Sequence, residues 1–437
     1  MGEKRRTFVL DTNTILHDPD ALKAFGKNDV VVPLAVLEEL AQVKRYRDEL
    51  AKNARDCLRY FDSLKELGEG DLHQGVMLEN GTRIRIQLEI KTNYSPNFVL
   101  SLNSIPYRIL MAAYFLFEKG EDVVFVSKDL AMRVKAEAMG LEAEDYENKK
   151  FSFDGLYHGY RKVEMPKHEI DLFYKDGRVK ATTDDFAPNE YIVMHSVENT
   201  SAVAKYDMAT KHFIPLVKFP SNIWGISPTN VEQKCAIDLL LRDDVKLVTL
   251  LGPAGTGKTL LALACGLRKV FDEGVYHRIL VSRPIVPLGK DIGYLPGLKE
   301  EKLIHWMQPI YDNLEFLCDS TGSEQNETLR WVNESKKLEM EAVTYIRGRS
   351  LPKIYMIIDE AQNLTPHEIK TIVSRAGKNT KVVITGDPTQ IDNPYLDRNS
   401  NGLTYLVGRF KDHKIFGHVM MEKTERSELA AIAAEIL

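Results

Sequence analysis

Short apolar runs alternate with longer helix-like stretches over about the first 148 residues. The strand-like runs lie at 7–10, 30–32 and 123–127, and the helix-like stretches at roughly 35–67, 107–118 and 130–139. Strands that are separated by helices usually pair in parallel. The pattern therefore predicts an α/β domain with a mainly parallel sheet over residues 1–148.

A different pattern follows between residues 149 and 222. Two short runs, 170–174 and 179–182, flank Asp176 and Gly177, and Asp-Gly between alternating runs is a strong signal for a β-hairpin. Further strands are expected at 191–197, 202–206 and 212–217. The sequence thus predicts a small antiparallel, β-rich linker domain with little helix. It is interpreted as a structural spacer or, alternatively, as a small barrel that binds nucleic acid.

The α/β alternation returns at residue 223 and continues to the C-terminus around a glycine-rich loop. The loop reads Gly252-Pro253-Ala254-Gly255-Thr256-Gly257-Lys258-Thr259, between a strand-like apolar run and a stretch of helix formers. This arrangement points backbone N–H groups at an anion. In such a loop Lys258 reaches the β- and γ-phosphates, and the Thr259 hydroxyl is a ligand of Mg²⁺. The chain is therefore expected to bind a nucleoside triphosphate, with ATP and Mg²⁺ as cofactors.

Polar residues elsewhere in this segment fit hydrolysis of the nucleotide. Asp359 and Glu360 end an apolar run, where Asp359 is expected to hold Mg²⁺ and Glu360 to orient or deprotonate the attacking water. Gln390 ends another such run and is placed to sense the γ-phosphate. Gln233 is expected to read the adenine edge. Arg426 either stabilises charge on the γ-phosphoryl group or is an exposed residue at a helix start.

These motifs resemble those of the PhoH-like P-loop ATPases, relatives of superfamily-one helicases, from about residue 225 to the C-terminus. The resemblance also includes Val281-Ser282-Arg283-Pro284, residues 291–297 and 306–314, Arg347-Gly348-Arg349-Ser350 and Gly386-Asp387-Pro388-Thr389-Gln390. It implies a RecA-like parallel sheet, ATP hydrolysis linked to work on RNA, and a homo-oligomer such as a ring.

Basic residues near the same motifs suggest a polynucleotide contact. Arg283 follows an apolar run and is expected at the edge of the sheet where ligands bind. Further cations that can supply positive surface are Lys290, Lys299, Lys302, Arg347 and Arg349. Because acids such as Asp291 and Glu300 are interspersed, a solvated surface of mixed charge is the alternative interpretation.

Carboxylates follow the strand-like runs of the N-terminal segment. Asp11 ends the first run, Glu38 and Glu39 lie on the helix after the second, and Asp129 follows the third. Carboxylates at the ends of parallel strands can converge on a hard cation such as Mg²⁺ or Mn²⁺, which activates water against a phosphodiester.

The arrangement resembles a PIN domain, a family of metal-dependent ribonucleases, across about residues 7–145. Asp11, Glu39 (with Glu38 the less favoured register) and Asp129 match three of the family's acids. The family usually has another Asp where this chain reads 103–110, a segment without a carboxylate. The site is therefore expected to recruit Asn103 or a water, to bind metal weakly, or to be inactive. Asp11 and Asp129 can alternatively cap loops.

Composition narrows the class of protein. With 437 residues, 44% of them hydrophobic, the chain is long enough for two to four packed domains. The net charge of -5 provides no global attraction to nucleic acid, so any such site is a local patch. The four cysteines are scattered, and no long apolar segment begins the chain, so a cytoplasmic protein without a membrane span is expected.

The leading hypothesis is an ATPase fused to a PIN-type nuclease, in which ATP-driven movement or unwinding of RNA feeds strand cleavage. The domains are expected at 1–148, 149–222 and 223–437. The alternative is an ATP-switched RNA-binding or scaffold protein whose PIN domain is weak or inactive. A phosphotransferase that acts on a metabolite is disfavoured by the motifs after the phosphate loop.

Overall fold

The computed structural model describes residues 5–45, 49–67, 71–88, 104–146, 153, 155–181, 183, 185–285, 299–320, 325–346, 348–393 and 396–425. The chain forms two compact units, Met1–Asn148 and Lys149–Leu437. They are called the N-terminal and C-terminal units below. No helix in the described ranges combines the length and apolar character that a membrane crossing requires.

The N-terminal unit is an α/β structure with one sheet. Its elements are β1 (Thr7–Leu10), α1 (Thr12–His17), β2 (Asp29–Pro33), α2 (Leu34–Val43), α3 (Glu49–Leu67), β3 (Val76–Met77), β4 (Arg83–Gln87), α4 (Ile105–Glu118), β5 (Val123–Val126), α5 (Leu130–Ala138) and β6 (Glu142–Glu144). The strand order is β3-β4-β2-β1-β5-β6, and every pairing except β3 with β4 is parallel. The predicted class is confirmed.

The single helix expected at 35–67 is wrong, because α2 and α3 divide that stretch. The helix α2 ends at Val43, where the N–H of Arg45 bonds to the carbonyl of Gln42, three residues back, at 3.2 Å and tightens the last turn. A continuous helix of that length would extend about 50 Å, far beyond a six-stranded sheet. The two shorter helices instead pack against each other and bury Leu40 and Phe61 in one core.

The C-terminal unit begins with a small sheet of five strands. Its elements are β7 (Tyr160–Glu164), α6 (Lys167–Asp176), β8 (Val179–Lys180), β9 (Tyr191–His195), β10 (Ser201–Asp207) and β11 (His212–Pro215). The strand order is β7-β9-β10-β11-β8, and β7 pairs with β9 in parallel while the other pairs are antiparallel. The meander expected from the sequence is therefore confirmed only for part of this sheet.

The hairpin expected around Asp176 and Gly177 is wrong, because the first of its runs is α6. Ile170 and Phe173, three residues apart, are both buried, so the apolar spacing is helical. Gly177 has a left-handed backbone (φ 67°), and its N–H bonds to the carbonyl of Phe173 at 3.0 Å. Asp-Gly here is the C-terminal cap of a helix.

This small sheet is joined to the rest of the C-terminal unit by buried polar contacts. The carboxylate of Asp238, which is fully buried, accepts from the Tyr191 hydroxyl at 2.6 Å and from the backbone N–H of Val217 at 2.5 Å. The amide of Asn189 donates to the carbonyls of Lys414 and Phe416. Residues 149–222 therefore belong to the same compact unit as residues 223–437.

The larger sheet of the C-terminal unit carries six parallel strands. Its elements are α7 (Val231–Leu241), β12 (Leu247–Leu251), α8 (Lys258–Leu267), β13 (Ile279–Arg283), α9 (Lys299–Ser320), α10 (Gln325–Glu334), β14 (Leu338–Ala342), β15 (Tyr355–Ile358), α11 (Pro366–Val373), β16 (Lys381–Gly386), α12 (Gly402–Phe410) and β17 (Phe416–Met420). The order is β14-β13-β15-β16-β12-β17. The strands β12, β15 and β16 are wholly buried, as expected for a parallel sheet covered on both faces.

The outer edge of β17 is covered by the segment before the small sheet. The N–H of Met420 bonds to the carbonyl of His158 at 2.8 Å. Gly159 follows with φ 81°, and a Cβ atom there would collide with the carbonyl of His418. Glycine at this position therefore permits the close approach of the two backbones.

A buried lysine closes the C-terminal end of α7. Lys381, the first residue of β16, is fully buried, and its ammonium donates to the carbonyls of Leu239, Arg242 and Val245 at 2.7 to 2.8 Å. Since the last carbonyls of a helix have no partner within the helix, this side chain supplies one.

Candidate nucleotide site and acidic site

The phosphate loop connects β12 to α8 in a shape that needs glycine. Gly252 has φ 147°, and a Cβ atom there would collide with the carbonyl of Met421. Gly257, with φ 88°, precedes the first residue of α8. The N-terminal N–H groups of α8 have no partner in the helix itself, so they are available to an anion.

Two carbonyls of the loop are held from outside. The backbone N–H of Glu425 donates to Gly255 at 2.9 Å, and the Gln233 amide donates to Thr256 at 3.3 Å. The Gln233 oxygen accepts from Thr229, so both ends of the Gln233 side chain are engaged within the chain. The predicted adenine contact of Gln233 stays a prediction.

Lys258 is folded onto the loop that it follows. Its ammonium donates to the carbonyls of Gly252 at 2.6 Å and Pro253 at 2.8 Å, and the residue is 9% exposed. Its position at the first turn of α8 places the charge at the mouth of the loop. A phosphate that enters there can replace the carbonyls as the partner of this ammonium.

The Thr259 hydroxyl donates to Oδ1 of Asp359 at 2.8 Å, and this pair joins the loop to the end of β15. The same carboxylate oxygen accepts from the Thr385 hydroxyl at 2.6 Å, and Asp359 is 4% exposed. A hydroxyl and a carboxylate are the hard oxygen donors that Mg²⁺ prefers, so the residues fit this metal.

Arg283 lies at the end of β13 and contacts both acids of the site. Its Nε is 3.3 Å from Oδ2 of Asp359, and its Nη2 is 3.3 Å from Oε1 of Glu360. A third N–H donates to the carbonyl of Trp306 in α9. The structure thus places Arg283 at the ligand edge of the sheet, as expected, in contact with the two acids.

Glu360 has a strained backbone, and its carboxylate lies between Arg283 and the Gln362 amide. Its φ is 55°, which is unusual for a residue other than glycine. Burial, and then the neighbouring Asp359 charge, raises the pKa of the Glu360 carboxyl above its usual range. Strain and a perturbed acid at a strand end are typical of catalytic positions.

Gln362 connects Glu360 to the segment after β16, a role that was not expected from the sequence. Its amide donates to Glu360 and to the carbonyl of Gln390 at 2.9 Å, and its oxygen accepts from the N–H of Asp387 at 3.0 Å. The side chain is fully buried. Its place two residues after Glu360 in the Asp-Glu-Ala-Gln motif was the available signal.

The remaining predicted residues of this site are only partly defined. Gln390 follows β16, its side chain is exposed, and its role at the γ-phosphate stays a prediction. Arg426 lies outside the described residues and directly follows Glu425. Lys290 and Arg347 lie outside them as well, as do the side chains of Lys299 and Lys302, while Arg349 pairs with Glu341 at 2.6 Å.

In the N-terminal unit, Asp11 directly follows β1 and is 2% exposed. Its carboxylate accepts from the N–H of Thr12 at 2.7 Å, from Asn13 at 3.3 Å and from the Ser127 hydroxyl at 2.6 Å. Burial raises the pKa of Asp11 despite these donors. A buried carboxylate at the end of a central strand is a candidate metal ligand that is already oriented.

Glu39, and not Glu38, lies on the side of Asp11. The Thr12 hydroxyl donates to Glu39 at 2.5 Å, and the Glu39 charge contributes to the raised pKa of Asp11. The Glu38 carboxylate pairs with Arg108 at 2.8 Å and is exposed. Of the two registers considered from the sequence, the position of Glu39 is the one that suits a shared cation.

Asp129 is exposed and caps α5. Its carboxylate accepts from the N–H of Ala131 at 2.8 Å, and its own N–H donates to Ser127 at 3.0 Å. Ser127 thus links Asp129 to Asp11. Across the described residues, no group of three or more His, Cys, Asp or Glu side chains is arranged to hold a metal ion. The donors suit Mg²⁺ or Mn²⁺ by type but are not assembled around one point, and Asn103 lies outside the described residues.

Two families of known proteins match this chain. The family described as "PhoH-like protein" matches residues 225–436, and the family described as "PIN domain" matches residues 8–147. The first match contains the phosphate loop, Asp359 and Glu360. The second contains Asp11, Glu39 and Asp129.

Several known proteins are similar along almost the whole chain. Protein PhoH2 of Bacillus subtilis is 45% identical over 99% of this chain and 100% of its own length. Protein PhoH2 of Mycolicibacterium smegmatis is 36% identical over 99% of this chain and 97% of its own length. Protein PhoH2 of Thermobispora bispora is 34% identical over 99% of this chain and 96% of its own length.

Proposed function

Because the chain belongs to the PhoH-like protein family and carries an N-terminal PIN domain, we propose that it hydrolyses ATP and uses the hydrolysis to act on RNA. The 2.8 Å contact between Thr259 and Asp359 carries the proposal, because it joins the phosphate loop to the acidic strand end. A loop that only held a phosphate would not need a buried acid opposite it.

The side chains of this site fit separate roles in hydrolysis. Lys258 exchanges its carbonyl partners for the β- and γ-phosphates, and the N-terminal N–H groups of α8 hold the same phosphates. Thr259 and Asp359 would hold Mg²⁺, which would neutralise charge on the phosphates. Glu360 orients the attacking water and accepts its proton, for which a raised pKa is well suited.

The ATPase proposal is tested with the purified full-length chain. ATP hydrolysis is measured with and without single-stranded RNA, on the wild type and on Lys258→Ala. We expect hydrolysis to be abolished in Lys258→Ala and stimulated by RNA in the wild type. If RNA leaves the wild-type rate unchanged, the link to RNA is wrong even though the ATPase stands.

We further propose that the PIN domain is a metal-dependent ribonuclease in which Asp11 and Glu39 are ligands of Mg²⁺ or Mn²⁺. The position of Glu39 beside the buried Asp11 supports this. Asp129 completes the ligand set through Oδ2, while Oδ1 keeps the N–H of Ala131. The bound metal would activate water against the phosphodiester.

A second candidate is an ATP-switched RNA-binding protein without productive cleavage. The capping role of Asp129 favours it, together with the separation of the acids in the described part of the chain. Degradation of labelled RNA that depends on Mn²⁺ and is lost in Asp11→Asn would exclude this candidate. In both candidate functions we propose that the protein is a cytoplasmic homo-oligomer, such as a ring.

A further inference from the structure

The amino ends of the large parallel sheet carry a row of basic residues. Each of the six strands has a lysine or arginine within the three residues before its first residue. In the order of the sheet these are Lys336 and Lys337 before β14, Arg278 before β13, Lys353 before β15, Lys378 before β16, Lys246 before β12 and Lys414 before β17. This edge is opposite the one that carries the phosphate loop.

Backbone hydrogen bonds fix the sequence of neighbours along this row. The N–H of Ile279 donates to the backbone carbonyl of Lys337 at 2.7 Å, and the N–H of His277 donates to the backbone carbonyl of Lys353 at 2.9 Å. The N–H of Lys353 in turn donates to Lys378 at 3.0 Å. Since adjacent strands lie roughly 4.8 Å apart, the four strands from β14 to β16 present cations over roughly 15 Å.

Three acids near this half of the row are paired with cations, one of them with Arg278 of the row itself. Glu339 pairs with Arg278 at 3.0 Å, Glu334 with Arg330 at 3.4 Å, and Glu273 with Lys269 at 2.9 Å. None of these pairs uses Lys336, Lys353 or Lys378. The half of the row at β12 and β17 is different, because Asp244 and Asp412 are exposed there, while Asp243 pairs with Lys269 at 3.0 Å.

An exposed aromatic ring lies near the β14 end of the row. Trp331 of α10 is 53% exposed, and its ring centroid is 4.8 Å from that of Phe271. The N–H of Ser335 bonds to the carbonyl of Trp331, so Trp331 lies in the last turn of α10, five residues before Lys336. The Lys337 ammonium lies over the other ring of this pair, 5.3 Å from the Phe271 centroid.

We propose that this edge, from Trp331 across Lys336 and Lys353 to Lys378, binds a single-stranded polynucleotide. A basic track beside an aromatic platform is the combination that binds such strands, since the cations contact successive phosphates and a base stacks on the ring. The inference rests on the proposed work on RNA and assigns a surface to it. Because the nucleotide binds at the opposite edge, the two sites are separable by mutation.

The test measures binding of a labelled single-stranded RNA to the full-length chain by fluorescence anisotropy over a range of salt. We expect the triple variant Lys336→Glu, Lys353→Glu and Lys378→Glu to bind at least about 10-fold more weakly. Each lost phosphate contact should reduce the slope of log affinity against log salt by about 0.7. Trp331→Ala should weaken binding about 5- to 100-fold with the salt slope unchanged.

A matched control reverses three exposed lysines of the small sheet, Lys162→Glu, Lys175→Glu and Lys180→Glu, with the same change in net charge. We expect this control to bind RNA like the wild type, and both triple variants to keep the wild-type affinity for ATP. Single-stranded DNA of the same sequence shows whether the surface reads the 2′-hydroxyl or only the backbone.

Three results would overturn the inference. If the wild type binds RNA and the first triple variant binds it equally well, the surface is wrong while the proposed function stands. If the control variant loses RNA binding instead, the small sheet is the binding surface. If the wild type binds no polynucleotide, the proposed work on RNA fails together with this surface.

Discussion

The side-chain oxygen of Gln362 accepts the backbone N–H of Asp387 at 3.0 Å, which ties the acid-bearing end of β15 to the end of β16. The amide of the same side chain bonds to Glu360 and to the carbonyl of Gln390. One buried glutamine therefore determines where the proposed base lies relative to the segment that ends at Gln390.

Replacing this glutamine should slow hydrolysis without preventing nucleotide binding. Gln362→Leu has a similar volume but no hydrogen-bonding groups, so Glu360 loses one of its two positioning partners. We expect kcat for ATP to fall about 10- to 100-fold, as for other residues that orient a catalytic group, while the Kd for ATP stays within about threefold. Gln308→Leu on the exposed surface of α9 is the control and should leave kcat unchanged.

The acid limb of the pH–rate profile should reflect the ionisation of the Glu360 carboxyl. Its pKa is raised above 4.5, and only the ionised carboxylate can accept a proton, so kcat should fall as the pH drops through the raised value. The Arg283 cation favours the ionised form. We therefore expect Arg283→Gln to move the limb to higher pH and Arg283→Lys to move it less. An unchanged limb in Arg283→Gln would contradict this coupling.

Two adjacent glutamates provide a matched test of the acidic site. Glu39 lies beside Asp11, whereas Glu38 pairs with Arg108. If the PIN domain cleaves RNA, Glu39→Gln should lower Mn²⁺-dependent cleavage by at least about 100-fold, since loss of a ligand exceeds loss of an outer partner. Glu38→Gln should cleave like the wild type. Equal effects of the two substitutions would remove Glu39 from the site.

Lys381 should be important for stability and not for chemistry. In Lys381→Met the carbonyls of Leu239, Arg242 and Val245 lose their donor, and those of Leu239 and Val245 are buried. Such groups cost about 1–3 kcal/mol each when left unpaired, so the unfolding free energy should fall by about 3 kcal/mol or more. Urea unfolding checks this. Lys378→Met, an exposed substitution in the preceding loop, should change stability by less than about 0.5 kcal/mol.

Much of the fold could be predicted because parallel strands leave a local signature. The apolar runs that became β12 and β15 are buried on both faces, so their composition alone identifies them. The helix α6 could not be identified in this way, because its ten residues include only a few apolar ones and its last residue, Asp176, precedes Gly177. Whether Asp-Gly closes a hairpin or caps a helix depends on which of the preceding side chains the core buries.

The candidate nucleotide site was predictable where the motif dictates the chemistry. Thr259 and Asp359 are far apart in sequence, but both belong to motifs whose roles imply a shared cation, and the structure brings them together. The contacts of Arg283 could not be predicted, because they depend on β13 lying next to β15. The capping role of Asp129 depends on where α5 begins, which sequence patterns locate only to within a few residues.

The backbone contact between His158 and Met420 also determines where this chain can be cut. A fragment that began at residue 223, where the sequence suggests a domain boundary, would lack the segment that covers β17. The fully buried strand Phe416–Met420 would then form an open edge, and such an edge pairs readily with a second molecule. An ATPase fragment intended for solution work therefore has to begin before Tyr157.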